Sequence, residues 1–149
     1  MTLVETINND IISYMKSKDT FPLGVVRMVK GAIQLEKISK KRDLTDDEVI
    51  SVIAKQIKMR QDSIEEFKKA DRKDLIDQYS KEIDILKKYM PEELKPEEIE
   101  KIIDDAFEKI NPQSNKEMGL IMKEVSPKLK GRADMKEVSN IIREKLSNL

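Results

Sequence analysis

The chain has 149 residues, and its 29 basic residues cancel its 29 acidic ones. It contains no cysteine and no histidine, which excludes disulfides, thiolate zinc sites and cysteine nucleophiles and removes the commonest general base and metal ligand. Aromatic residues at 4%, four glycines and five prolines disfavour a turn-rich all-β chain, while recurring Ile, Leu, Val and Met among 39% charged residues suit charge-covered helices.

The first helix is marked at once. Thr2 and Glu5 have the T-x-x-E spacing of a capping box, and Leu3, Ile7, Ile11, Tyr14 and Met15 follow at helical intervals until about Lys18. Pro22 fits the first turn of a second helix, whose inward side is expected to carry Leu23, Val26, Val29, Ile33 and Ile38. "SKKRD", residues 39–43, is a polar loop. Thr45 and Glu48 form a second box, with Asp46 and Asp47 where the helix dipole favours negative charge. Val49, Val52, Ile53, Ile57, Ile64 and Phe67 then make a long stripe, with a break at Lys69-Ala70-Asp71. Leu75, Tyr79, Ile83, Leu86 and Met90 give a fourth helix, stopped before Pro91.

"PEELKPEE", residues 91–98, reads as a linker. Beyond it the helices shorten. Pro96 starts one with Ile99, Ile102, Ile103, Phe107 and Ile110, and Asn111-Pro112 ends it. Ser114 and Glu117 suggest a third capping box, opening a helix to about Val125 that Pro127 breaks. Asp134 and Glu137 cap the last helix, with Val138, Ile141, Ile142 and Leu146 inward. The expectation is an all-α chain: an N-terminal domain of about four helices over 1–92, and a small C-terminal domain of about three over 93–149. No apolar run approaches the ~18 residues of a membrane span, so no membrane is expected. "MTLVETINND" has neither a basic n-region nor an apolar h-region, so a cytoplasmic location is expected.

Charge is unevenly spread. Residues 91–114 hold three lysines and eight acids, a net −5, whereas 115–149 hold eight basic residues and five acids, a net +3. The sharpest piece is "SPKLKGRAD", where Lys128, Lys130 and Arg132 surround Gly131. Cations suit phosphate oxygens, glycine lets another backbone come close, and the helix start at Asp134 adds N–H groups. The same residues also suit a plain helix end with a solvated face. Gly119 has two readings as well, helix–helix contact or close approach of a ligand backbone.

The carboxylate pairs at Asp46-Asp47, Glu92-Glu93, Glu97-Glu98 and Asp104-Asp105 do not make a metal site, because adjacent helical side chains point about 100° apart. "RMVKGAIQLEKISKKR", residues 27–42, is a second basic concentration, read as a solvated face before an additional nucleic-acid surface. The eight methionines are read as core filler. There is no G-x-x-x-x-G-K-[ST], no G-x-G-x-x-G and no nucleophile elbow.

The stretch "MGLIMKEVSPKLKGRADMKEVSNIIREKL" resembles the C-terminal tail domain of the GatB/YqeY type. The pattern is M-G-x-[IV]-M, a [KR]-G-[KR]-A-[DN] turn, and x-x-x-V on a final helix. Met118, Gly119, Ile121, Met122, Lys130, Gly131, Arg132, Ala133, Asp134 and Val138 match it. "VVRMVKGAIQLE", "LTDDEV", "RQDSIEEFKKADRKDL" and "YMPEELKPEEIEKII" extend the resemblance to YqeY-like proteins over nearly the whole chain; "EELKPEE" departs where the family more often has a Gln and a Ser. The resemblance implies a helical domain followed by a small one similar to the end of the B subunit of glutamine-dependent aspartyl/glutamyl-tRNA amidotransferase. That tail is associated with grasping tRNA, while the kinase and amidase centres lie elsewhere. A label of carbon–nitrogen ligase with glutamine as amide donor is therefore a borrowed association.

The leading expectation is a non-catalytic accessory protein that binds tRNA or another structured RNA, beside an amidotransferase or an aminoacyl-tRNA synthetase. Lys123, Lys128, Lys130, Arg132 and Arg143 are the candidate phosphate contacts, with Gly119 and Gly131 allowing close approach. No cofactor, metal or catalytic residue is expected. The alternatives are a helical module docking a tRNA-metabolism enzyme, through the tail or the long third and fourth helices, and an amidotransferase-like enzyme.

Overall fold

The computed structural model describes residues 1–129 and 131–149. Among them the chain is all-helical: seven α-helices, a 3₁₀ turn and no strand. It divides into two compact units, Met1–Met90 and Pro91–Leu149.

The first unit holds α1 (Leu3–Ser17), α2 (Thr20–Lys40), α3 (Asp46–Lys69) and α4 (Lys73–Lys87). Both capping boxes form: the hydroxyls of Thr2 and Thr45 accept from the N–H groups of Glu5 and Glu48, whose carboxylates accept in return from the cap N–H groups. Lys18 and Lys41 end α1 and α2 in the left-handed conformation. The core gathers Ile7, Ile11, Val25, Val26, Val29, Ile33, Val49, Ile53, Ile57, Ile83 and Leu86. Several expected core positions fail: Ile38 is 71% exposed, and of the eight methionines read as core filler Met1, Met15, Met28 and Met59 are exposed. Ile38 lies nine residues after Val29, two and a half turns on, and so faces the opposite way.

Polar side chains also join these helices. Arg60 on α3 and Glu82 on α4 are both buried, with Arg60 Nε donating to Glu82 Oε1 at 3.1 Å. Gln56 accepts from Arg60 through its carbonyl and its side chain, and Gln78 donates to the other Glu82 oxygen at 3.2 Å. Tyr89 donates to Asp10 at 2.5 Å; burial first, then that carboxylate, push its phenol well above the ordinary range.

The second unit holds α5 (Pro96–Ile110), the 3₁₀ turn Asn115–Glu117, α6 (Met118–Leu129) and α7 (Met135–Ser147). Ile103, Ala106, Ile121, Val125, Leu129, Val138, Ile142 and Leu146 form its core, and Leu94 packs against it. Two expectations are corrected. The Ser114 box does not form: Glu117 N–H donates to the Ser114 carbonyl rather than its hydroxyl, giving a 3₁₀ turn, and the Glu117 carboxylate accepts from Gln113 N–H. Pro127 does not break α6, which continues to Leu129. The carbonyl that Pro127 leaves without a donor is that of Lys123, an exposed residue, and burial of Leu129 holds the last turn.

Candidate nucleic-acid interface

α6 and α7 run antiparallel. Ser139 meets Met122 at 3.9 Å, while Arg143 and Ser147 line a shallow groove with Met118 and Asn115. α5 lies on the other flank of each: Lys109 donates to Glu124 of α6 at 3.0 Å, and Lys145 of α7 to Asp104 at 2.8 Å. A three-helix arrangement follows, and at 100° per residue it decides which cations share a face.

On α6 the core line is Ile121, Val125 and Leu129. Gly119 and Lys123 lie turned towards the side away from α5, and both are exposed. On α7 the core line is Val138, Ile142 and Leu146, and Lys136, Asn140 and Arg143 are exposed on the corresponding side. Lys123, Lys136 and Arg143 thus flank one face of the α6–α7 pair. Among the described residues none of the three is paired with a carboxylate, although Glu144 lies beside Arg143 in the groove.

The basic knot behaves differently. Lys128 is on the α5 flank of α6, 3.5 Å from Glu124, which also holds Lys109. The Lys109 hydrogen bond first, then the Lys109 charge and Lys128, keep the Glu124 carboxyl below its ordinary range. Lys130 lies outside the described residues. Gly131 has φ 77°, left-handed backbone that favours glycine, so the turn after α6 accounts for it. Arg132 is half-buried: its N–H donates to the Leu129 carbonyl at 2.9 Å, its carbonyl accepts from Leu94 N–H at 2.9 Å, and its Nε reaches the Glu92 carbonyl at 3.4 Å. It ties the 92–94 segment to the turn. From Met118 to Leu129 the helix rises about 16 Å, so the knot and the Gly119–Arg143 end are two separate places.

Gly119 does not serve helix–helix contact, since a Cβ there would meet nothing within 4 Å. Sequence reasoning missed Lys136. It sits next to the capping region, and its place on the same side of α7 as Arg143, two turns away, shows only once the α7 core line is fixed. The acids resolve into structural roles: Asp46 Oδ1 accepts from Leu3 N–H at 3.0 Å, Asp104 holds Lys145, and no metal-binding cluster occurs among the described residues. In the second basic stretch, Lys37 pairs with Asp43, and Lys40 and Arg42 both clamp Glu48, so these cations fasten the loop between α2 and α3. No described helix is long and apolar enough to cross a membrane.

Known proteins resemble this chain over much of its length. A protein of Pyrenophora tritici-repentis named altered inheritance of mitochondria protein 41, mitochondrial, is 33% identical over 91% of this chain and 76% of its own length. A protein of the same name from Kluyveromyces lactis is 36% identical over 58% of the chain and 47% of its own. One subunit of the glutamyl-tRNA(Gln) amidotransferase of Saccharolobus solfataricus is 46% identical over 44% of the chain, which is 11% of that larger protein. Residues 4–146 match the family described as Yqey-like protein, and the chain belongs to that family.

Proposed function

We propose that the chain is a non-catalytic accessory protein that binds tRNA or another structured RNA, acting beside an amidotransferase or an aminoacyl-tRNA synthetase. The supporting observation is the face of α6 and α7 on which Lys123, Lys136 and Arg143 stand without carboxylate partners, with the exposed backbone of Gly119 at its end. The amidotransferase component that shares this region lends a tRNA substrate class to the reading. Phosphate contact needs mobile cations and an approachable backbone, and no reacting group. Lys128 and Arg132 take a lesser part, because each already has an internal partner. The carbon–nitrogen ligase label belongs in this reading to the neighbouring enzyme. The two units act as separate domains, and a cytoplasmic site of action is part of the proposal, beside relatives named as mitochondrial.

A salt titration of tRNA binding tests it. Each of Lys123→Ala, Lys136→Ala and Arg143→Ala should flatten the log–log salt slope by about 0.7–0.9. Replacing all three should remove about two to three such steps. An unchanged affinity and slope in the triple variant refutes the reading. Association with an enzyme of tRNA metabolism that survives nuclease and high salt would instead favour the docking-module alternative.

A further inference from the structure

The outward face of α2 carries four of the ten exposed large hydrophobic residues among those described. Phe21, Gly24, Met28, Gly31, Leu35 and Ile38 follow one another at steps of three and four residues, the heptad spacing of a helix-pairing seam. All six are exposed, with Phe21 at 41%, Met28 at 56%, Leu35 at 72% and Ile38 at 71%. The helix buries its other side through Val25, Val26, Val29 and Ile33. Gly24 and Gly31 have no role within the fold, since a Cβ on either would meet nothing within 4 Å. Each costs α2 about 1 kcal/mol relative to alanine.

We propose that this stripe pairs with the same stripe of a second copy of the chain, with the two α2 helices antiparallel. The seam is self-complementary about its midpoint, between Val29 and Lys30. Reversed upon itself, it sets Leu35 of the second copy over Gly24, Met28 over Gly31, and Phe21 beside Ile38. Every glycine receives a large side chain, as a twofold interface requires of a single patch. A parallel pairing would stack glycine on glycine and leave two gaps. Charge agrees as well: in the antiparallel register the flanking Arg27 faces Gln34 of the second copy, and Lys41 faces Thr20. A second copy is favoured over a helix of another protein because the patch by itself already supplies a large residue for each glycine.

The stripe is about 25 Å long. One helix pair covers less than the ~800 Å² per partner of stable complexes, so the association is weak and concentration-dependent.

Because the chain lacks cysteine, cross-linking reads the register directly. The double variant Gly24→Cys/Leu35→Cys should form a covalent dimer on mild oxidation. Within one chain the two positions are about 16 Å apart along the helix, beyond the ~7 Å limit for a disulfide. Gly24→Cys alone should stay monomeric, because the antiparallel register holds the two substituted positions apart. In sedimentation of the unaltered chain, the apparent mass should rise from 17.3 kDa towards twice that with concentration, and Leu35→Glu should abolish the rise. If that variant loses helical circular dichroism, Ile38→Glu is read in its place. A chain that stays monomeric at millimolar concentration overturns the proposal. So does a dimer indifferent to these substitutions, or a single cysteine that links as readily as the pair.

Discussion

The Arg60–Glu82 pair offers a sharp test of how the first unit is held. Both side chains are more than nine-tenths buried, and both Glu82 oxygens are used, one by Arg60 and one by Gln78. Arg60 also donates twice to Gln56. Glu82→Leu leaves a guanidinium in the interior with no counter-charge. Breaking a buried pair in this way costs about 3–5 kcal/mol, set against a total of about 5–15 kcal/mol for an ordinary domain. Arg60→Met should cost a similar amount. The double variant removes both charges at once and should recover most of the loss, since an apolar replacement of a buried pair is often neutral or better. Lys58–Asp62 is the control: its side chains are 75% and 70% exposed, and Asp62→Ala should cost less than about 1 kcal/mol. The assay is urea unfolding followed by tyrosine fluorescence. Tyr14, Tyr79 and Tyr89 are the only tyrosines, all fall in the first unit, and there is no tryptophan, so the signal reports that unit alone. If Glu82→Leu costs no more than Asp62→Ala, or the double variant is as unstable as the worse single one, the two groups are not the closed network described.

Three further outcomes are expected. Glu124→Gln should strengthen tRNA binding and steepen the salt slope by up to about 0.9, because it releases Lys109 and Lys128 from their shared carboxylate; weaker binding would count against the charge argument. Gly131→Ala should destabilise the second unit by about 1–2 kcal/mol in urea unfolding followed by circular dichroism, since φ 77° is strained for any residue with a Cβ. Glu48 is held well below the ordinary carboxylate range by hydrogen bonds from Arg42, then Lys40, then the Thr45 N–H, so its contribution is present above the unfolded value of about 4.3 and lost as pH falls through the folded one. Glu48→Gln should therefore flatten the stability–pH curve on the acid side, and an unchanged acid limb would show that the loop clamp adds nothing.

Features set by neighbours in the chain were legible in the sequence. The boxes at Thr2 and Thr45 need only three residues of spacing, and they form. The prolines misled where tertiary burial outweighed local preference, as at Pro127, where the buried Leu129 carries the helix past the break. The Ser114 box failed although its spacing was right, because a tighter turn engaged the same N–H. Pairings across helices left no local trace. Arg60 and Glu82 are 22 residues apart, and Lys109 and Glu124 are 15 apart, so nothing in either stretch announces the partner. The same blindness governed the candidate site. Lys128 and Arg132 looked strongest because they cluster in sequence, but the folded chain engages them, while Lys123 and Arg143, farther apart in sequence, fall on the same face as Lys136.

The tail motif can be separated into fold and function on these grounds. Ile121 and Val138 are core residues, Met118, Met122 and Ala133 pack against that core, Gly131 supplies a left-handed turn, and Asp134 accepts from Lys136 N–H as the cap of α7. Arg132 binds the 92–94 segment through its own backbone. Nearly all of the motif is thus explained by the need to build a three-helix unit from few residues, where each turn and cap matters in so small a core. A motif of this kind reports how the unit folds and says little about its ligands. Among the described motif residues Gly119 is the exception, having neither a positive φ nor a neighbour that would exclude a side chain. Among the described residues an RNA-binding role therefore rests chiefly on Gly119 and on cations outside the motif, and variants at Lys123, Lys136 and Arg143 question function while those at Ile121, Gly131 or Asp134 question folding alone.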